Sequence, residues 1–235
     1  AAGVVEPGAP PACSPCAERG LTMRIALIHA LGHSVAPINE EFARAWPEVE
    51  RMNLLDDSLA TDLVRDGSAP GAAMHQRFES LAAYAEAAGA QGILFTCSAF
   101  GTCIEAVAAR RPHMPVLKPN EAMVAEAVAR GDKIGLVASF APTLRSMEPE
   151  FPPGTELLSC LAVGALEALN QGDAAGHDAR VVDAARSLVQ QGCGVIALSQ
   201  FSMARAQFAT HRALGVPVLT TPGSAVRALR QRLRA

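Results

Sequence analysis

The chain has 235 residues, half of them hydrophobic and 18% charged, with a formal net charge of −3. That is ordinary for a globular protein and leaves room for one large domain or two small ones, each with a core. No basic stripe marks a nucleic-acid partner, no apolar run nears the ~20 residues of a membrane helix, and aromatics at 4% are too sparse for base-stacking platforms or sugar clefts.

Residues 1–22 are rich in Pro, Gly and Ala and lack the apolar stretch of a signal peptide. They read as a disordered leader, with Met23 as the physiological start. Cys13-Ser14-Pro15-Cys16 is a CxxC with no second ligand pair for zinc and no strand and helix around it, so it reads as incidental. Six cysteines in a chain of this length, mostly within apolar patterns, do not make a disulfide framework, and a reducing cytoplasm is the expected setting.

Residues 24–30 (RIALIHA) form an apolar run of strand length. A loop holding His33 and Ser34 follows, then a helix over about 38–45 whose first turn carries Asn39, Glu40 and Glu41. No GxGxxG or GxxxxGK[ST] occurs, so nucleotide binding has little support. A second strand covers 49–55, and Asp56-Asp57-Ser58 ends it and caps a short helix. After a loop at 66–71, a long helix over 72–88 stops at Gly89. Next come the strand ending at Cys97, a helix to about 110, and a short strand at 115–118.

From Asn120 the plan repeats. A helix over 121–130 leads to a strand at 133–139 (KIGLVAS) and a weaker one at 156–160. A helical region spans 163–191, interrupted near Gly172 and Gly176. A strand at 195–199, a helix to about 214, a strand at 216–220 and an arginine-rich amphipathic helix over 223–234 complete the chain. One offset of 103 residues relates Gly89 to Gly192, Cys97 to Gln200 and Pro119 to Pro222. Two halves sharing a β-α-β plan predict an α/β fold of two pseudo-symmetric lobes with parallel sheets. The expected division is 23–119 plus 221–235 for one lobe and 120–220 for the other. Ligands in such sheets bind beyond the carboxyl ends of the strands, so Cys97 and Gln200 are expected across one cleft.

Cys97 ends an apolar strand and opens a helix. Free N–H groups there favour negative charge, so a lowered pKa and some thiolate character are expected. The backbone N–H groups of Ser98 and Ala99 suit a carboxylate or an enediolate, and Phe201 and Ser202 are their counterparts in the second half. His29, His33 and Ser34 close the first strand, where a histidine could move a proton. That histidine pair lacks a third metal ligand nearby. Lys118 ends its strand at the same sheet edge as Cys97 and could hold a second carboxylate. Cys103, Cys160 and Cys193, with Met123, Met147 and Met203, read as packing, and the C-terminal arginines as a solvated face.

These residues resemble the aspartate/glutamate/hydantoin racemase superfamily over about 23–233. Thr96-Cys97-Ser98-Ala99 is similar to the family's first-half cysteine motif, and Leu198-Ser199-Gln200-Phe201-Ser202 stands where a Leu-Gly-Cys motif is usual. Ser139 and Thr143 resemble a region whose hydroxyls bind the substrate carboxylate. The resemblance implies two four-stranded parallel sheets, an interlobe site, no cofactor, a small carboxylate or amino-acid substrate, and a homo-oligomer as a common form. It also implies proton transfer alpha to a carboxylate between two cysteines. Here Gln200 replaces the second cysteine, and a carboxamide does not titrate near neutral pH. The expectation is therefore a racemase or isomerase-type enzyme using Cys97 as base or nucleophile. A decarboxylase or lyase, as in the related arylmalonate decarboxylases, is the alternative, alongside maleate isomerase-like attack on an alkene carbon. A non-catalytic carboxylate-binding protein is the alternative from another class.

Overall fold

The computed structural model describes residues 23–67 and 70–234. The leader and its Cys13/Cys16 pair lie outside the described residues. Among the described residues, eight strands form two sheets, each four-stranded and wholly parallel, in the orders β2-β1-β3-β4 and β6-β5-β7-β8. In the first, β1 (Arg24–His29) lies between β2 (Glu50–Leu55) and β3 (Gly92–Phe95), with β4 (Val116–Leu117) at the edge. The second repeats this with β5 (Ile134–Ala138) between β6 (Leu157–Leu161) and β7 (Val195–Leu198), and β8 (Val218–Thr220) outermost.

Between their ends the inner strands are apolar, because helices cover both faces of each sheet. One face of the first sheet packs against α2 (Ser58–Arg65), α3 (Ala72–Ala87) and α4 (Gly101–Ala109) through Leu63, Phe78 and Ile104. Its other face meets α1 (Val35–Ala45) and α10 (Thr221–Arg234) through Phe42, Trp46 and Leu229. In the second sheet, α8 (Ala174–Gln190) covers one face with Val181 and Leu188. The helices α5 (Glu121–Ala129) and α6 (Ala141–Met147) cover the other with Met123 and Met147. The last helix thus returns to the first sheet, beside α5. Glu126 on α5 accepts hydrogen bonds from Ser224 Oγ (2.6 Å) and Arg227 Nη2 (2.5 Å) on α10.

Several boundaries differ from expectation. The helix α1 begins at Val35 and α10 at Thr221, because Pro37 and Pro222 sit in first turns, where the missing N–H costs nothing. The helical region after β6 breaks once, between α7 (Ala165–Asn170) and α8. Gly176 lies inside α8, and the side chain of Asp173 caps the helix by accepting from the Gly176 N–H (2.8 Å). Lys118 falls outside β4.

Gly135 marks a close approach of α8 to β5. A Cβ there would stand 2.7 Å from Ile196 Cδ1 and 3.1 Å from Leu188 Cβ. Gly135→Ala is expected to destabilise the protein by about 1–3 kcal/mol through overpacking, measured as a lowered urea midpoint. An unchanged midpoint would show that the helix can move away freely.

Candidate active site

The two inner strands end alike. Beyond β3, Thr96 donates its N–H to Ile28 O (3.0 Å) and Cys97 remains extended, φ −126° and ψ 121°. A single 3-10 turn, Ser98–Phe100, separates it from α4. Beyond β7, Ser199 donates to Val137 O (3.0 Å), Gln200 is extended, and a 3-10 segment Phe201–Ala206 precedes α9 (Gln207–Leu214). The first turn rests on aromatic packing: Phe78 lies 5.2 Å from Phe95 and 4.9 Å from Phe100, ring centre to ring centre.

These two turns close a cavity of about 30 Å³, room for a water or two. Its walls come from both halves. Cys97, Ser98 and Ala99 line it from one, with Ser34 from the loop after β1; Gln200, Phe201, Ser202 and Thr143 line it from the other. The expected meeting of Cys97 and Gln200 is thereby met in position.

Four expected residues lie elsewhere: Ser139, His33, Lys118 and His29. Ser139 sits behind Gln200, donating to its Oε1 from the backbone N–H (2.6 Å) and from Oγ (3.1 Å). An N–H can only donate, so the carboxamide oxygen is the atom facing Ser139, and the NH2 of Gln200 is left as the donor for the cavity. His33 is exposed and hydrogen-bonds Asn170 Oδ1 (2.8 Å) across the lobes. The 3-10 turn Gly32–Ser34 buries Ser34 and turns His33 outward. Lys118 pairs with Glu105 (2.8 Å) in a separate open groove of about 980 Å³ that shares Leu63 and Ala99 with the cavity. Burial alone would lower its ammonium, but Glu105, Glu150 and Glu121 together hold it above the ordinary lysine range.

His29 is buried and does not line this cavity, but it reaches the site through Thr96. Asn39 Nδ2 donates to Val35 O and to Asn53 Oδ1, both at 2.8 Å. Asn53 Oδ1 is therefore an acceptor, and His29 Nε2, 3.0 Å away, is its donor. The neutral ring then accepts from Thr96 Oγ1 at Nδ1 (2.8 Å), which leaves oxygen lone pairs of Thr96 toward the cavity. Burial holds the imidazole below its ordinary 6.5, against the pull of the Asn53 bond.

The expected thiolate is not found. Burial pushes the Cys97 thiol from the ordinary 9.0 up to about 11, against the lowering effect of the Ala99 N–H. The residue keeps some exposure, yet its surroundings disfavour the charged form. A one-turn 3-10 segment offers a much weaker dipole than a long helix, and no charged side chain lines the cavity among the described residues. Three polar lining residues were not among the expected site residues: Thr96, Asn120 and Ser199. Asn120 and Ser199 are each 1% exposed, and Asn120 Oδ1, Asn120 Nδ2 and Ser199 Oγ have no hydrogen-bond partner. Ser199 could have been found by the offset of 103 from Thr96.

An interlobe cavity with a cysteine at the first strand end, between two like parallel sheets, defines a racemase-type α/β fold. The chain belongs to the Asp/Glu/Hydantoin racemase family, whose model matches residues 35–229. Its fold is shared by a glutamate racemase of Bacillus anthracis, with a TM-score of 0.68 and 13% identity over 90% of this chain and 82% of that one. An allantoin racemase of Klebsiella pneumoniae gives 0.64 and 20% over 90% and 88%. An aspartate racemase of Picrophilus torridus gives 0.68 and 10% over 89% and 94%. No curated protein matches the chain. No helix among the described residues is long and apolar enough to cross a membrane.

Two pH effects are expected. Alkylation of Cys97 by iodoacetamide, followed by peptide mass spectrometry, should rise about tenfold per pH unit from 7 to 10 without a plateau; a plateau below pH 9 would show an activated thiolate. His29 is depressed in the folded state, so its contribution to stability is full above 6.5 and falls as acid is added below it. His29→Gln should flatten the urea-midpoint profile between pH 6.5 and 5, whereas an unchanged slope would place the acid sensitivity elsewhere.

Proposed function

We propose that this protein is a cofactor-independent racemase or isomerase-type enzyme that moves the proton alpha to a carboxylate of a small acid or amino acid. The observation that carries the reading is the meeting of Cys97 and Gln200, at equivalent strand ends, in one closed and uncharged cavity. Cofactor independence comes from the family resemblance.

In this reading the substrate carboxylate is held by neutral donors: the NH2 of Gln200, the hydroxyls of Ser34, Ser202 and Thr143, and the N–H groups of the Ser98–Phe100 turn. Cys97 takes the alpha proton as a thiolate. The bonding pair passes into the carboxylate as an enediolate, and the new S–H returns a proton. Gln200 steadies the oxyanion and transfers no proton. With a thiol pKa of about 11, the thiolate is on the order of one molecule in a thousand at pH 8. It is correspondingly basic when formed, which suits a weakly acidic C–H. Substrate entry needs the lobes to part, since a cavity of about 30 Å³ admits no acid of several heavy atoms.

The protonated thiol favours a second reading, a decarboxylase. Loss of carbon dioxide leaves the electron pair on the alpha carbon, Cys97 S–H protonates it, and solvent restores the thiol.

The test is a panel of small mono- and dicarboxylates in deuterated buffer, followed by NMR. Deuterium wash-in at the alpha carbon, reduced about 10²–10⁴-fold in Cys97→Ser, is the expected result. Carbon dioxide release instead supports the decarboxylase. Tight binding unchanged in Cys97→Ser with no turnover of any acid would reduce the protein to a carboxylate binder.

A further inference from the structure

We propose that Asn120 is the specificity residue of this cavity and that it pairs with an amide-type edge of the ligand, a carbonyl oxygen beside an N–H. The inference rests on the reading of the interlobe cavity as the substrate site. Asn120 stands directly before α5, where an asparagine ordinarily turns its side-chain oxygen back to an N–H of the first turn. Here no such capping bond forms. The side chain is instead 1% exposed and lines the cavity, and both of its polar atoms are unpartnered. Among the described residues it is the one side chain with two buried polar atoms left unpaired. Native proteins leave few such atoms, and each calls for a partner. Ser199, whose Oγ is likewise buried and unpaired, lines the same cavity.

The chemistry of the partner follows from the carboxamide. Nδ2 donates and Oδ1 accepts, side by side, and their complement is an acceptor beside a donor: an amide, a lactam or a ureido group. A bare carboxylate satisfies Nδ2 but sets a second acceptor against Oδ1. Gln200 is different, because Ser139 occupies its oxygen and leaves it a donor only. The two carboxamides therefore divide the ligand, with Gln200 toward a carboxylate oxygen and Asn120 toward the amide edge. The ligand class is a small acid carrying one carboxylate and an amide, lactam or ureido group. Dicarboxylates, including malonate-type acids, lack the donor.

Isothermal titration of the whole protein tests this with matched probes. Pyroglutamate and its lactone counterpart, 5-oxotetrahydrofuran-2-carboxylate, differ only by N–H against O; N-acetylalanine and O-acetyllactate form a second such pair. At least one amide-bearing probe is expected to bind tenfold or more tightly than its acceptor-only counterpart. Asn120→Leu should cut that ratio below twofold while leaving the thermal midpoint of the ligand-free protein at or above the wild-type value, since two unpaired polar atoms are removed. Asn120→Ala, which removes both polar atoms without adding bulk, should also abolish the preference and decides the matter if the leucine variant does not fold. Equal binding within both pairs, or a preference that survives either folded variant, overturns the proposal. Deuterium wash-in on the same samples keeps the two readings apart. Amide selectivity lost with Asn120, but no exchange of any probe, overturns the proton-transfer reading alone. Exchange that depends on Cys97 without amide selectivity overturns the Asn120 assignment alone.

Discussion

Both faces of each parallel sheet are covered by helices, and this constraint shapes everything else. Between their ends, strands β1, β3, β5 and β7 carry apolar side chains to both sides, so these inner strands leave no face open to solvent or ligand. Polar chemistry is pushed to the strand ends. In a parallel sheet those ends lie on one edge, where chain leaving each strand can present hydroxyls, amides and N–H groups. The two lobes place these edges together, so β3 and β7 deliver Cys97 and Gln200 to one cavity. The crossing of α5 and α10, tied by Glu126 to Ser224 and Arg227, helps to hold the halves in this relation.

The same closure sets the electrostatics. A small cavity lined, among the described residues, by no charged side chain stabilises neutral groups. It disfavours ionisation of the Cys97 thiol, and burial behind it likewise holds His29 below its ordinary range. Such a cavity also raises the value of each neutral donor, because a hydrogen bond in surroundings of low dielectric is electrostatically stronger. The ordered chain from Val35 through Asn39 and Asn53 to His29 and Thr96 shows how one backbone carbonyl can set the donor sense of groups several residues away. Ser139 does the same for Gln200. Asn120 is the exception, with both of its polar atoms unpaired, as a residue waiting for a ligand would be.

Much of the fold was legible in local patterns. The apolar runs RIALIHA and KIGLVAS became β1 and β5, and the offset of 103 between Cys97 and Gln200 is the offset between β3 and β7. Boundaries near proline were less legible, because a first-turn proline and a helix-ending proline look alike in a sequence. Gly176 suggests a break in the sequence, whereas the cap at Asp173 starts α8 ahead of it and the helix runs through.

The sequence by itself determined the α/β class, the duplication and the equivalence of Cys97 and Gln200, since each depends on spacing along the chain. The tertiary structure decided which polar side chains face inward and what their charge is. Ser34 points into the cavity while His33, one residue away, points out, and Lys118 turns to Glu105 while Asn120, two residues on, is buried beside Cys97. Such directions depend on turns one or two residues long. The pKa of the thiol was equally beyond reach, because desolvation is set by everything packed around a sulfur, and most of that is distant in the chain.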